Sequence, residues 1–398
     1  MTMDAATRTL PTGCEILIVG AGAYGLSSAW FLASKFGGKN VVVIDASDFA
    51  GNGTGRCIGG FRTQWGHESN IRMCLESVKF FENAADILDY PQGIELKQEG
   101  YLLLAWDQDI LDRFRYCQTA QHSHGVKSRM LSPEEVLRIS PRVNANGLLG
   151  GAICERDGTV SPFRLLDALL KGVRREGVSV NFGVGVKSLS HRGSTFAAET
   201  THGRVSAKKV VLCTDWAAPD LARTLGVKLP VDRLPVEIMV TEAAPAMLGP
   251  VHISMRHDMA INQMPRGSIM VNHGRARPRI DDISNQPDWF ERACRGACDV
   301  IPSLGDINVL RGWAGTISVT LDMQPIIDEL EVPGLYAAVS AYKGLMTAPA
   351  AGRLVSDVVA GTAASDPVAR YVSLSRFKSG QLVREPMTNG AKLDAEAA

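Results

Sequence analysis

The feature that most constrains this chain is a glycine pattern near its start, Gly20-Ala-Gly22-Ala-Tyr-Gly25. It follows a predicted strand at 15–19, whose last four residues are apolar, and it precedes a segment that predicts a helix. In this setting GxGxxG is typical of a unit that binds a dinucleotide. Gly20 allows the tight turn, Gly22 lets the backbone approach a pyrophosphate, and Gly25 lets the helix pack closely on the strand. The free N–H groups and the positive dipole end of that helix then face the phosphates.

An acidic residue stands where such a unit needs one. The next predicted strand ends at Asp45, 20 residues after Gly25, and an acid at that distance holds the ribose hydroxyls. An acid also disfavours the 2′-phosphate of NADP. A chance glycine-rich turn in an α/β protein is the alternative, but strand, glycines, helix, second strand and acid coincide here. These residues leave the choice between NAD and FAD open.

One segment resembles a membrane span in its hydropathy. Ile16 to Ser34 is a run of 19 residues without a charge, close to the ~20 that a helix needs to cross a bilayer. The run divides into a short β-branched stretch, the glycines and a helical stretch. A strand, a turn and a helix explain it better, so we predict no membrane span.

The overall charge excludes two classes of partner. Lys and Arg number 42, as do Asp and Glu, so the formal charge is zero. A general nucleic-acid or anionic-membrane binder would carry a basic excess. The eight cysteines include no CxxC pair and no Cys/His cluster with zinc spacing, so we expect no metal site. Scattered single cysteines, with no signal peptide in the first 13 residues, predict a reduced, cytoplasmic protein.

A second glycine-rich segment, 46–62, follows the second strand and holds five glycines. It is too long and too rich in glycine for an ordinary connection. We predict that it wraps a second part of the ligand, and a flexible surface loop is the alternative.

The order of the elements predicts an α/β protein of two interleaved domains. Strand, glycine loop and helix open the chain and return near 334, whereas 230–311 contains mostly short strands with one helix. This alternation indicates a doubly wound, Rossmann-like nucleotide-binding domain interleaved with an antiparallel-sheet substrate domain, with the active site between them. The predicted boundaries are 14–93, 157–229 and 312–377 for the nucleotide-binding domain, 94–156 and 230–311 for the substrate domain, and 378–398 for a polar C-terminal tail.

From about residue 14 to about 377, the chain resembles the FAD-dependent D-amino acid oxidase superfamily, in particular its glycine oxidase, sarcosine oxidase and proline dehydrogenase branch. The similar segments are EILIVGAGAYGLSSAWFLA, GTGRCIGGFR, RDGTVSPFRLLDALL, RGWAGTISVTLDMQPIID and VPGLYAAVSAYKGLMTAPAAGRLVSDVV. The aromatic hydroxylase class shares GxGxxG, but its Gly-Asp-Ala motif before the last helix is not visible in this sequence.

The resemblance implies non-covalent FAD and dehydrogenation of a carbon–nitrogen bond in an amino acid or N-alkyl amino acid. In the family, flavin N5 takes a hydride and water hydrolyses the imine that remains. Phe163 stands near the position where heterotetrameric sarcosine oxidases link FMN to a histidine, so we expect no such link. Together, motif and resemblance predict cofactor contacts from Gly20, Gly22, Ala23, Tyr24, Gly25, Asp45, Ala46, Ser47, Thr54, Gly55, Arg56, Gly59, Gly60, Val186, Thr214, Trp216, Gly344, Leu345 and Met346.

Two residues are expected in the substrate pocket on the same basis. Arg62 matches the carboxylate-binding arginine of monomeric sarcosine oxidases, and a guanidinium grips a carboxylate with two parallel hydrogen bonds. A surface arginine or a flavin-phosphate contact is the alternative. His273 lies in SIMVNHG, which resembles the strand that carries an active-site histidine in those enzymes. A structural histidine is the alternative.

Lys343 is the third expected site residue. The resemblance implies that the turn KGLM and the helix after it face the pyrimidine edge of the flavin. Thr347 can cap that helix, and Pro349 is expected in its first turn. Lys343 is the only lysine between Lys228 and Lys378, so we expect it to serve the substrate carboxylate or the flavin. A solvent-facing loop lysine is the alternative.

The electron acceptor is expected to be something other than oxygen. Sarcosine oxidases use a lysine near flavin N5 on the strand that here reads 268–271, which has none, and their second lysine matches Met346. We therefore predict a dehydrogenase that reacts slowly with oxygen. Departures from the family pattern at Leu321-Asp322-Met323, VSAYKGL and VVLCTD bear on the substrate and the acceptor. Two alternatives remain: a flavin subunit of a hetero-oligomeric amine, opine or proline dehydrogenase, active only with a partner chain, and a FAD-binding protein without catalysis.

Overall fold

The computed structural model describes residues 10–274 and 284–388. Over these ranges the chain builds two large sheets and one small sheet. The strands are β1 (Gly13–Val19), β2 (Val41–Asp45), β3 (Gly60–Phe61), β4 (Tyr101–Ala105), β5 (Arg129–Leu131), β6 (Gly150–Cys154), β7 (Gly158–Thr159), β8 (Ser179–Phe182), β9 (Val186–Arg192), β10 (Thr195–Thr200), β11 (Gly203–Leu212), β12 (Asp232–Ala243), β13 (Val251–Ser254), β14 (Met259–Gln263), β15 (Ser268–His273), β16 (Val309–Val319), β17 (Ile326–Glu329) and β18 (Leu335–Val339). The helices are α1 (Ala23–Phe36), α2 (Glu68–Glu82), α3 (Ala84–Ile87), α4 (Gln108–Ser123), α5 (Pro133–Ile139), α6 (Pro162–Arg175), α7 (Ala218–Arg223), α8 (Pro287–Val300), α9 (Gly344–Val359), α10 (Ala369–Val372) and α11 (Ser375–Ser379).

The first sheet carries the glycine motif. Its strand order is β17-β18-β11-β1-β2-β8, and every neighbouring pair is parallel except β17 with β18. Strands β9 and β10 continue from β11 as an antiparallel meander. Residues 16–19 of β1 are buried on both faces, because α1, α6 and α9 cover one face and the meander with α7 covers the other. Such burial is expected of a central parallel strand, and it explains the uninterrupted apolar run there.

The second sheet has the strand order β16-β12-β15-β14-β13-β4-β6-β5, and its pairs are antiparallel except β13 with β4. On one face, Ile269 and Val271 of β15 pack in a core with Trp289 of α8. The opposite face carries Val236 and Ile238 of β12 and turns toward the first sheet, where a cavity opens. Successive side chains of a strand alternate between faces, so this sheet has one structural face and one that can meet a ligand.

The α/β class with two interleaved domains is confirmed. The strands of the first sheet lie within 13–45, 179–212 and 326–339, and those of the second within 101–154 and 232–319. Strand β16 crosses the predicted boundary between 311 and 312, because it pairs with β12 along its whole length. The second sheet also contains one parallel pair, formed where the two inserted stretches meet, rather than antiparallel pairs alone.

The uncharged stretch 16–34 forms most of β1 and α1, as predicted, rather than one long helix. Among the described helices, none is both long and apolar enough to span a bilayer. All eight cysteines are free thiols. Within 10–274 and 284–388, His, Cys, Asp and Glu side chains form no group that could hold a metal ion.

The segment predicted as a polar tail differs from that expectation over 381–388. Val383, Glu385 and Met387 are buried. The N–H of Val383 donates to Asp322 Oδ2 over 3.2 Å, and Asp322 forms a fully buried ion pair with Arg376 at 2.8 Å. The chain beyond α11 is therefore held against the body of the protein.

Candidate active site

A cavity of about 670 Å³ is lined by parts of both large sheets. One end is formed by the turn between β1 and α1, the segment 46–60 and the carboxyl ends of β2, β11 and β18. The other end is formed by one face of the second sheet together with Arg62 and Lys343. Ligands of open α/β sheets bind at the carboxyl ends of the strands, so this is the expected place for a cofactor.

The three motif glycines meet different geometric demands. Gly20 has φ 108°, and a Cβ there would lie 2.3 Å from Cys213 O. A Cβ at Gly25 would lie 1.8 Å from Gly20 O, so this glycine lets α1 pack against the turn. A Cβ at Gly22 would meet only Thr54 Oγ1, at 3.4 Å, and Gly22 lines the cavity. Gly20 and Gly25 are therefore needed for the fold, and Gly22 for space in the cavity.

Asp45 ties two turns of the cavity wall together. Its Oδ2 accepts from Ala21 N at 2.7 Å, and its Oδ1 accepts from Ser47 N at 2.8 Å and Ser47 Oγ at 2.6 Å. Each carboxylate oxygen has two lone pairs, so the residue retains acceptor capacity for a ligand hydroxyl while holding both loops.

The second glycine-rich segment is anchored rather than loose. Thr54 Oγ1 accepts from Ala23 N at 3.2 Å, at the start of α1. Arg56 Nη1 donates to Ala314 O at 2.8 Å, and Arg56 O accepts from Trp313 Nε1 at 2.9 Å. These contacts fasten the segment to α1 and to the second sheet, so it forms a fixed cavity wall and not a flexible surface loop.

The cavity is suited to a dinucleotide cofactor. All the residues predicted to contact one line it, except Gly25, which packs behind Gly20. Thr214 Oγ1 is buried and has no hydrogen-bond partner among the described residues, although Thr214 lines the cavity. A buried hydroxyl without a partner is costly, so a ligand that pairs with it would relieve that cost.

Asp215 is a cavity residue that the sequence motifs do not indicate. Its carboxylate accepts from the N and Oγ of Ser318, at 3.0 and 2.7 Å, and from the N and Oγ of Ser340, at 3.0 and 2.7 Å. It thereby joins the ends of β16 and β18 beside the cavity. Its φ of 51° is left-handed, a conformation that Asp tolerates better than most residues.

Arg62 lines the cavity and is 7% exposed. Its Nη2 donates to Met387 O at 2.9 Å, and its Cζ lies 3.9 Å from the ring centre of Trp65. Trp65 Nε1 in turn donates to Arg62 O at 3.0 Å. The guanidinium is thus stacked on one face and held at one N–H, so it is neither a surface arginine nor mobile.

Lys343 is fully buried and lines the cavity, so the solvent-facing alternative is wrong. Its Nζ donates to Met323 O and lies 5.3 Å from the ring centre of Trp65. Burial lowers the pKa of Lys343 to about 8, although the nearby Glu385 carboxylate acts in the opposite direction. Two successive residues with left-handed φ, Ala341 at 43° and Tyr342 at 78°, bring the chain into this position.

The helix after Lys343 begins earlier than the sequence suggested. Helix α9 starts at Gly344, so Pro349 lies inside it and not in its first turn. Thr347 is not a cap: its Oγ1 donates to Lys343 O at 2.8 Å and pairs with the hydroxyl of Tyr24 at 2.8 Å. The N-terminus of α9 still borders the cavity through Gly344, so its dipole acts there.

His273 is not among the described residues that line the cavity. Its ring lies near Gly296 of α8, where an added Cβ would be 3.6 Å from His273 Cε1. Side chains alternate along a strand, so His273 points to the same face as Val271, into the core beneath α8. The preceding residue, Asn272, lines the cavity instead, and its Nδ2 donates to Glu237 O at 2.9 Å. The strand thus places Asn272, and not the neighbouring His273, in the cavity wall.

Further apolar and aromatic residues that no motif indicated line the cavity on the side of the second sheet. They are Tyr101 of β4, Ile238 of β12, Ile253 of β13 and Met255. A Cβ at Gly60 would lie 1.7 Å from the hydroxyl oxygen of Tyr101, so Gly60 makes room for that ring. A mostly apolar pocket with a few placed polar or charged groups is typical of small-molecule binding sites.

The chain is similar to known proteins along nearly its whole length. A family model described as FAD dependent oxidoreductase matches residues 15–358. The beta chain of sarcosine oxidase from Rhodobacter capsulatus is 22% identical, over 94% of this chain and 91% of that protein. One of the subunits of opine oxidase from Agrobacterium tumefaciens is 26% identical, over 93% of this chain and 99% of that protein. The crystal structure of L-proline dehydrogenase from P. horikoshii superposes with a TM-score of 0.88 at 25% identity, over 94% of this chain and 100% of that chain.

Proposed function

Because the chain belongs to the family of FAD-dependent oxidoreductases, whose model matches residues 15–358, we propose that it dehydrogenates the C–N bond of an amino acid or N-alkyl amino acid. The observation that carries this proposal is a single cavity with a nucleotide-binding turn at one end and two buried cations, Arg62 and Lys343, at the other. The names of the similar proteins, which include oxidases of sarcosine and opines and a dehydrogenase of proline, support the same substrate class.

The reaction removes two electrons and two hydrogens from the substrate, so that its C–N single bond becomes a C=N bond. Water then adds to the imine, and a carbonyl compound and an amine or ammonia leave. Bound FAD supplies the two-electron acceptor for this step. The protein must hold the substrate so that the carbon to be oxidised faces the acceptor.

Arg62 and Lys343 are proposed to hold the substrate carboxylate. The guanidinium of Arg62 can grip both carboxylate oxygens, and its stacking on Trp65 restricts how the fork can turn. Lys343 adds a second positive charge in the same buried end of the cavity. The N-terminus of α9 adds about half a positive charge beside Gly344, where it would stabilise negative charge that develops on the cofactor.

FAD is proposed to bind without a covalent link. Purified protein is then expected to be yellow, and acid precipitation should release intact flavin into the supernatant. A colourless protein that gains no flavin absorbance when FAD is added would contradict this part of the proposal.

The affinity for carboxylates is expected to fall as pH rises past 8. The pKa of Lys343 is lowered to about 8, so its positive charge is lost above that pH. Acetate does not titrate in this range, and its Kd for the oxidised flavoprotein should rise by up to about tenfold per pH unit. The change can be followed through the perturbation of the flavin spectrum. Lys343→Met should bind acetate weakly at every pH. A wild-type Kd for acetate that is constant from pH 7 to 9.5 would show that Lys343 does not bind the carboxylate.

The same lowered pKa affects stability with a definite sign. Unfolded lysine keeps its proton up to about pH 10.4, whereas buried Lys343 releases it near pH 8. Between these two pKa values the unfolded state therefore binds more protons than the folded state. The contribution of Lys343 to the free energy of unfolding rises with pH across that range. Lys343→Met should remove that rise in a series of urea titrations.

Two neighbours on β15 are expected to respond differently to substitution. Asn272→Ala, on the cavity face, should change KM or kcat by roughly fivefold, about 1 kcal/mol, with little loss of stability. His273→Asn, on the core face, should lower the free energy of unfolding by about 1–2 kcal/mol and leave the kinetic constants unchanged. The reverse pattern would place His273 in the site.

We further propose that the electron acceptor is not oxygen and that the chain works with a partner. The lysines that line the cavity within 10–274 and 284–388 are Lys187 and Lys343, and β15 carries none. Two of the similar proteins are named as subunits and match this chain nearly end to end. The isolated chain should therefore turn over with an artificial dye but reoxidise only slowly in air. Reoxidation in air as fast as reduction would contradict this proposal.

A further inference from the structure

The last described segment of the chain, residues 383–388, is called the C-terminal strap here. Its odd-numbered residues, Val383, Glu385 and Met387, are buried, whereas Arg384 is exposed. The first residue of the strap contacts Asp322, because Val383 N donates to Asp322 Oδ2. It ends at the cavity, which Met387 and Thr388 line.

Glu385 fastens the strap to the start of α2. Its Oε1 accepts from Gly66 N at 2.8 Å, and its Oε2 accepts from His67 N at 3.0 Å and from Asn70 Nδ2 at 2.7 Å. Its Oε1 also accepts from Met387 N at 2.9 Å. Hydrogen bonds to a carboxylate are stronger than neutral ones, and this carboxylate lies at a helix N-terminus, where negative charge is favoured.

This anchor fixes the next turn of the strap against Arg62. Thr388 Oγ1 donates to Glu385 O at 3.0 Å, so the chain turns tightly between them. The carbonyl oxygen of Met387 then accepts from Arg62 Nη2 at 2.9 Å. The Met387 side chain is 1% exposed and packs in the same apolar cluster as Trp65, whose ring supports the guanidinium from one side.

We propose that the strap forms a wall of the carboxylate subsite and that Glu385 is a positioning residue that acts through Met387 to orient Arg62. This inference rests on the proposed role of Arg62 in substrate binding. A guanidinium has five N–H donors, and the Met387 carbonyl uses one, so a pair of donors stays available for a carboxylate. The buried strap thus orients the Arg62 guanidinium and does not compete with the substrate carboxylate for its N–H donors.

The test compares Glu385→Ala and Glu385→Gln with Arg384→Ala, a matched control on the exposed side of the same strap. Acetate binding to the oxidised flavoprotein at pH 7 is measured by flavin difference spectroscopy, together with FAD content and steady-state constants. Glu385→Ala should bind acetate at least tenfold more weakly and raise KM by a similar factor, with kcat and FAD content unchanged. Glu385→Gln, whose amide oxygen still accepts from Gly66 N or His67 N, should recover part of the affinity, and Arg384→Ala should match wild type.

Two results would overturn the inference. One is acetate affinity in Glu385→Ala equal to that in Arg384→Ala. The other is loss of FAD or of the fold in both Glu385 variants, which would make the strap a structural brace. Acetate binding needs no turnover, so the outcome is separate from that of the proposed function. A chain that binds acetate through the strap but oxidises no amino acid would contradict the proposed reaction alone.

Discussion

Arg62→Ala is expected to lower kcat/KM for an amino-acid substrate by roughly 30- to 700-fold, or about 2–4 kcal/mol. The reason is that the substrate carboxylate would enter a buried end of the cavity without the fork that pairs with it. Arg62 is 7% exposed and is held by Met387 O and Trp65, so little solvent would replace the lost hydrogen bonds. Steady-state kinetics on the FAD-loaded protein measure the effect.

Two controls make that prediction specific. Arg62→Lys loses the planar pair of donors, because an ammonium is a point charge. It keeps the positive charge, so its decrease in kcat/KM should be smaller than that of Arg62→Ala. A substrate analogue whose carboxylate is replaced by a neutral amide should be oxidised about equally by wild type and Arg62→Ala. Equal kinetic constants of wild type and Arg62→Ala for every carboxylate substrate would remove Arg62 from the site.

Gly25→Ala is expected to lower the free energy of unfolding by about 3 kcal/mol and to abolish FAD binding. The added Cβ would lie 1.8 Å from the carbonyl oxygen of Gly20, so α1 must move away from the turn that holds the cofactor. The two nearest atoms both belong to the Gly20 backbone, so no flexible side chain can move aside. Thermal unfolding and flavin content measure the two effects.

Substitutions at two other glycines distinguish an effect on stability from an effect on FAD binding. Gly13→Ala should behave as wild type, because its Cβ would meet only Ser206 O at 3.6 Å. Gly22→Ala should keep the wild-type midpoint, since its nearest neighbour is Thr54 Oγ1 at 3.4 Å, but it should bind FAD more weakly because Gly22 lines the cavity. A Gly25→Ala protein as stable as Gly13→Ala would show that the close helix packing is not needed.

The parts of the fold that the sequence predicts are those encoded locally. A β-branched run, three glycines and Asp45 lie within a short stretch, and each acts on its neighbours. Local residues also encode the start of α5 (Pro133–Ile139), where Ser132 and Glu135 form a capping box. The burial of the strap could not be predicted in this way, because Glu385 binds Gly66, which is 319 residues away in the chain. A short polar sequence looks the same whether or not such a distant partner exists.

The candidate site follows the same division. Arg62 lines the cavity at the end of the second glycine-rich segment, and Lys343 lines it because Ala341 and Tyr342 turn the chain just before it. His273 lies outside the cavity lining because successive side chains of a strand point to opposite faces, and Asn272 occupies the cavity face of β15 instead. Asp215 could have been noticed as an acid three residues after the apolar strand that ends at Leu212. Its four hydrogen-bond donors, however, belong to Ser318 and Ser340, which no local pattern connects to it.

Anaerobic reduction of the bound flavin tests the central proposal most directly. The purified FAD-loaded chain is mixed with sarcosine, N,N-dimethylglycine, L-proline and a set of L- and D-amino acids in the absence of oxygen, and the flavin absorbance is followed. At least one of these compounds is expected to bleach the flavin, with one carbonyl product formed for each flavin reduced. A flavin that stays oxidised with every compound, yet is reduced by dithionite, would contradict the proposal that this cavity oxidises the C–N bond of an amino acid.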